Sequence, residues 1–258
     1  MRVINDITYD RRQPNGLALD LYLPKGPARA SVLFAHGGGF YKGARADAAV
    51  TRLAQFLTDH DLAMASASYR LGTKPEAFSP ADRRLIQISQ TRTANSGLSV
   101  SSRLSGSAFE AARQDLGAAL GWMRAAHKAH GIHSEKVGFV GVSAGGIAGL
   151  ALAYPPRFLP ECPRPDAVFA VSACAVQPWR LTPHGPPCVL LNNDRDKIIR
   201  PENPRLTQRR ARGVGAPVKS LWCDRKGHNA PFLALLEDRD PTAGRPYTDH
   251  LLTLFDAL

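Results

Sequence analysis

Apolar positions along the chain fall into short runs separated by amphipathic stretches, which is the signature of strands alternating with helices. Strand-like runs cover residues 7–9, 17–23, 31–35, 62–69, 137–142, 167–172, 188–192 and 218–223. The second, LALDLYL, alternates, whereas the later ones are almost continuously apolar, as strands covered on both faces must be. Residues 11–16 end in Asn15-Gly16, a hairpin signal, and join the first two runs. The sheet is therefore expected to be antiparallel at its start and parallel afterwards. Residues 45–60 and 108–130 repeat apolar side chains at helical spacing (Ala112, Leu116, Ala119, Leu120, Met123 in the second) and read as crossover helices.

One stretch does not fit this alternation. Residues 72–106 are polar, rich in Ser and Thr, and carry Phe78 as their only aromatic side chain. They read as an insertion. Within it LIQISQTRT alternates, ANSG offers a turn and LSVSSRL alternates again, so the expectation is a protruding β-hairpin or, equally, a polar loop. A protruding hairpin would offer a second copy of the chain a contact, making a homodimer one conceivable assembly. The rest is read as a single domain spanning residues 1–258, a length common for one α/β unit.

Composition narrows the partner more than the fold. The chain has 33 Lys+Arg against 22 Asp+Glu, a formal charge of +11, and Arg supplies 25 of those cations. The positive charge is scattered, its densest cluster being Arg209, Arg210 and Arg212, so it does not form the stripe that nucleic-acid binding requires. Neither nucleic acid nor membrane is expected as a partner; an anionic substrate fits better. Cys162, Cys174, Cys188 and Cys223 form no CxxC pair and have no histidine at ligand spacing, and read as free buried thiols. With no apolar leader near residue 1 and no apolar stretch of about 20 residues, a cytoplasmic protein is expected.

Two glycine-rich motifs carry the chemistry. Gly141-Val142-Ser143-Ala144-Gly145 ends an apolar strand and opens a helix of small residues. A G-x-S-x-G in that context is a nucleophile elbow, a strained turn that presents the Ser143 hydroxyl at the carboxyl end of the sheet. Upstream, His36-Gly37-Gly38-Gly39-Phe40 follows the third strand, and consecutive glycines let backbone N–H groups turn toward a developing oxyanion. Gly38, Gly39 and Ala144 are the expected donors, with His36 and Gly37 supporting the loop. Neither G-x-x-x-x-G-K-[ST] nor G-x-G-x-x-G is present, which argues against a phosphate loop.

A serine hydroxyl needs a general base, and the base needs a group to fix its tautomer. His228 follows the last strand and is favoured over His127, His130, His133 and His184; His250, in the final amphipathic helix, reads as a solvated side chain. The acid should follow the seventh run, where Asp196 is favoured over Asp194. The order Ser143, Asp196, His228, with HGGGF upstream, resembles the α/β-hydrolase fold, and within it the hormone-sensitive-lipase-like and feruloyl-esterase-like carboxylesterases. Tyr69-Arg70-Leu71 is similar to the Y-R-L of such enzymes, and Asp196-Lys197-Ile198-Ile199 to their acid loop.

The resemblance implies an eight-stranded, mostly parallel sheet flanked by helices, and a serine carboxylesterase that cleaves small to medium esters through an acyl-enzyme on Ser143 without cofactor or metal. The chain departs from the pattern at Val142, where an acidic residue is usual, and at Gly72-Thr73, where Ala-Pro is usual. No cap segment precedes the first strand and the link 173–187 is short, so a large lid is not expected; only the insertion could cover the site. Within enzymes the rivals are an arylformamidase, whose H-G-G-x-[WF] pattern HGGGF also fits, and a prolyl-oligopeptidase-type peptidase, disfavoured by the missing propeller. A ligand-binding relative that has lost turnover is the rival of another class, disfavoured because all three triad residues are present.

Overall fold

The computed structural model describes residues 1–11, 16–125 and 130–258. Most of the segment 11–16 expected to form the hairpin turn, and His127, lie outside them. The strands are β1 (Arg2–Asp10), β2 (Leu17–Leu23), β3 (Ala30–Ala35), β4 (Leu62–Ala67), β5 (Val137–Val142), β6 (Ala167–Val171), β7 (Cys188–Asn193) and β8 (Val218–Cys223). They form an eight-stranded sheet in the order β1-β2-β4-β3-β5-β6-β7-β8. β1 pairs antiparallel with β2, and β2 with β4, while every later pairing is parallel.

Helices α1 (Ala48–Asp59), α2 (Pro80–Ala94), α3 (Ser107–Ala125), α4 (Ala144–Ala153), α5 (Glu202–Val214), α6 (Ala230–Glu237) and α7 (Tyr247–Asp256) flank the sheet. Alternate side chains of each strand enter opposite cores. Leu33, Phe139, Val168 and Leu190 pack with α3 and α4 on one face, whereas Phe34, Val140, Phe169 and Leu191 pack with α1, α6 and α7 on the other. Burial on both faces explains why the central strands are apolar throughout. Among the described residues no helix is long and apolar enough to cross a membrane, and the four cysteines are free.

The insertion is not a hairpin. Its core is α2, started by Ser79, whose Oγ accepts from the Asp82 N–H at 3.1 Å, with Pro80 in the first turn. The alternation in LIQISQTRT misled because only Ile86 and Thr93, seven residues apart, are buried, and seven residues are two helical turns. LSVSSRL forms no second strand; residues Ser102–Ser105 make a short 3-10 turn. An isolated two-stranded ribbon has too little to bury, whereas this segment lies against the body. Thr93 donates to the Val176 carbonyl at 2.9 Å. Asn203 holds Ser99 from both sides, accepting from its N–H at 2.7 Å and donating to its carbonyl at 3.0 Å.

The sheet presses β5 and α4 against the end of β3. A Cβ added at Gly145 would stand 2.1 Å from the Ala35 carbonyl oxygen, and one at Gly141 would stand 2.4 Å from the Gly145 carbonyl carbon. Both partners are backbone atoms, which cannot rotate away. Gly145→Ala should therefore lower stability by about 3 kcal/mol, the upper end of the usual overpacking cost. Thermal unfolding of the purified variant measures it, and an unchanged Tm would contradict the packing described.

Candidate active site

Ser143 sits between β5 and α4 with φ 53° and ψ −115°, in the left-handed region that costs a non-glycine residue of order 1–3 kcal/mol. Two bonds hold the turn: its N–H donates to the Val171 carbonyl at 2.8 Å, and its carbonyl accepts from the Ile147 N–H at 2.9 Å. The parallel sheet brings the loops after β7 and β8 to the same edge. There Ser143 Oγ lies 2.7 Å from His228 Nε2, and His228 Nδ1 lies 2.7 Å from Asp196 Oδ2. Because the carboxylate can only accept, Nδ1 carries the proton and Nε2 is free to accept from the serine hydroxyl. The other Asp196 oxygen accepts the N–H groups of Ile198 and Ile199 at 2.8 and 3.0 Å. The carboxylate is thus buried with its partners in place. Asp194, the alternative acid, is exposed and paired with Arg205 at 2.5 Å.

Two side chains that hold the histidine loop escaped the sequence reading. Ser172, at the end of β6 with φ 51°, donates through Oγ to the His228 carbonyl at 2.6 Å. Asn193, which ends β7, donates through Nδ2 to the Gly227 carbonyl at 2.8 Å. Each is a polar residue closing an apolar strand at the carboxyl edge of the sheet, the only signal that could have marked it. His250 also departs from expectation: it is buried, its Nε2 2.9 Å from Asp240 Oδ2 and its Nδ1 2.8 Å from Arg245 Nη2. The amphipathic helix turns this histidine inward, onto a carboxylate that compensates its burial. His250 has an acid partner but no serine, so the His–Asp pair alone does not mark a site. His130 packs on Trp122 and His133 accepts from the Lys136 N–H.

The triglycine loop lies beside Ser143. Gly38 and Gly39 have φ of 112° and 64°, and a Cβ on Gly38 would fall 1.9 Å from the Lys42 carbonyl oxygen. A Cβ on Gly37 would touch Ser143 Cβ at 3.3 Å. Tyr69 braces the loop from below, its hydroxyl donating to the His36 carbonyl at 2.8 Å and its ring stacked on the His36 ring with centroids 4.3 Å apart. Arg70 ties the same strand end to α3 through Asp115, its N–H at 2.8 Å and its Nη2 at 2.8 Å. The Tyr-Arg pair is therefore the support of the glycine loop. Ala144 is the first residue of α4, whose leading N–H groups have no partner within the helix and carry its positive end.

A cleft of about 900 Å³ opens over these groups, lined by Gly38, Gly39, Ser143 and His228 together with apolar Phe232 and Leu233. The insertion contributes Ser101, Arg103 and Leu104 to its wall. Among the described residues, no group of three His, Cys, Asp or Glu side chains is placed to hold a metal ion.

No protein-family model matches the chain, and no curated protein is similar to it in sequence. Its likeness is to solved structures. A truncated carbohydrate esterase from gut microbiota superposes with a TM-score of 0.70 at 14% identity, covering 100% of this chain and 96% of that one. Native esterase 2 of Thermogutta terrifontis gives 0.68 at 16% identity, with 98% and 90% covered. The same esterase phosphorylated by paraoxon gives 0.66 at 18%, with 99% and 91% covered. Together with the sheet order, this establishes the α/β-hydrolase fold.

Burial holds the His36 imidazole below its ordinary pKa of 6.5, outweighing the Gly37 carbonyl, 2.7 Å from Nδ1, and the negative charge of Asp47, which both work against it. The unfolded chain then binds a proton that the native protein refuses, so stability is full above pH 6.5 and falls as the pH drops through and below that value. Urea unfolding at pH 7.5 and pH 5.5 should show the loss, and His36→Gln should reduce it. An equal loss in the variant would remove His36 as a cause.

Proposed function

We propose that the protein is a serine hydrolase that cleaves small to medium carboxylic esters through an acyl-enzyme on Ser143. The observation that carries this reading is the unbroken line from Ser143 Oγ through His228 to Asp196, with both contacts at 2.7 Å, opening into the cleft. His228 Nε2 takes the hydroxyl proton as Oγ attacks the acyl carbon, and the N–H groups of Gly38, Gly39 and Ala144 stabilise the oxyanion. His228 returns the proton to the departing alcohol. A water molecule then gives its proton to His228 and attacks the acyl-enzyme, and His228 passes that proton to Ser143 Oγ as the acyl bond breaks and the acid leaves. Asp196 keeps the imidazole in the tautomer that can accept and stabilises the imidazolium that forms.

The fold neighbours are described as esterases, which supports ester over amide chemistry. The cleft volume of about 900 Å³ suits a small organic ester, since such sites commonly measure ~300–1,000 Å³. His36 supports the loop and takes no proton in this scheme, because both its partners are backbone or phenol groups of the loop's own brace. The reading requires no cofactor.

Hydrolysis of p-nitrophenyl butyrate tests it. Ser143→Ala should lower kcat by about 10⁶-fold, and Asp196→Asn by about 10⁴-fold with the fold retained. Turnover by Ser143→Ala at the wild-type rate would overturn the assignment.

A further inference from the structure

The cleft above Ser143 carries charge that the ester chemistry does not use. Arg103, from the 3-10 turn of the insertion, and Lys42 both line it. The Arg103 guanidinium lies over the Tyr41 ring, 5.6 Å from its centroid. Its Nε is 4.0 Å from where a Cβ on Gly39 would stand, beside the loop assigned above to the oxyanion. Among the described residues no carboxylate lies within 4.0 Å of Arg103 or of Lys42. Nearby arginines are paired: Arg45 with Asp20 at 2.9 Å and Arg70 with Asp115 at 2.8 Å. Asp47 is the only acid among the described residues lining the cleft, and its Oδ1 caps α1 by accepting the Val50 N–H at 2.8 Å.

The other side of the mouth has the same bias. An adjoining cleft shares Ile198 and His228 with the first and adds Lys197, Arg200 and Lys226, again with no carboxylate within 4.0 Å among the described residues. Of the acids there, Asp194 is taken by Arg205 and Asp196 by His228, which leaves Glu202 in the first turn of α5. Cations set around a concave site concentrate their field within it and raise the local concentration of anions. Arg103 is exposed but rests on the Tyr41 ring, so less side-chain freedom is lost when it binds a partner than for an arginine free in solvent.

We propose that the esters this site prefers carry a negatively charged group, such as a second carboxylate on the acyl chain, and that Arg103 is the side chain that receives it. The proposal rests on the serine-esterase reading. The charged group would meet a guanidinium that can donate two parallel N–H bonds, a geometry that favours carboxylate over a diffuse negative field.

The test compares monomethyl adipate with methyl hexanoate by titrating released acid, and reads the ratio of their kcat/KM values within each protein. In the wild type the ratio should exceed one by about fivefold, the order expected of a partly exposed ion pair, and should fall at 0.5 M NaCl. Arg103→Ala should bring the ratio close to one, mainly through KM for the anionic ester, while Arg103→Lys keeps part of the preference. Arg92→Ala is the control: Arg92 lies over Trp179 at 4.7 Å, in grooves that share no lining residue with the active-site cleft, and its loss should leave the ratio unchanged. A wild-type ratio at or below one, or a ratio that Arg103→Ala does not move, would overturn the proposal alone. Absence of turnover on both esters would take the esterase reading down with it.

Discussion

The turn at Ser143 is the constraint on which the site depends. A serine at φ 53° is held only because β5, α4 and the end of β3 approach so closely that Gly141 and Gly145 must lack side chains. The same approach sets Gly37 against Ser143 and lays the triglycine loop beside the hydroxyl. A strained residue persists where its surroundings over-determine it. Here those surroundings are a bond from the Ser143 N–H to the Val171 carbonyl, the helix behind and a close glycine in front. Relaxing any one of them would move the hydroxyl away from His228 and from the loop N–H groups together.

Around that turn the parallel sheet does the rest. Strands β5, β6, β7 and β8 run in one direction, so the loops that follow them end at one edge. Ser143, Ser172, Asp196 and His228 meet there although they are far apart in the chain. Ser172 and Asn193 grip the loop around His228 through its backbone, which leaves the ring itself to its two partners. The insertion then adds to this edge a helix lying on the body and a short turn whose Arg103 enters the cleft wall.

What could be read from the residues follows from what is local. Buried parallel strands need unbroken apolar runs, so seven of the strands fell close to where they were read, and the elbow and triglycine motifs are contiguous. β1 was read too short because it lies at the edge and is largely exposed, with little apolar signal beyond residues 7–9. The insertion was misread because a polar helix with only two buried side chains has almost no apolar periodicity, which left the chance alternation in LIQISQTRT as the strongest local pattern. Ser172, the inward turn of His250 and the position of Arg103 depend on contacts between distant parts of the chain, which no local pattern carries.

The central claim is that Ser143 forms a covalent bond to the acyl group. Incubation with a fluorophosphonate followed by peptide mass spectrometry tests it most directly. A single adduct should appear on the peptide containing Ser143, in step with loss of esterase activity, and should be absent from Ser143→Ala. An adduct on another residue, or full activity after complete modification of Ser143, would contradict the account.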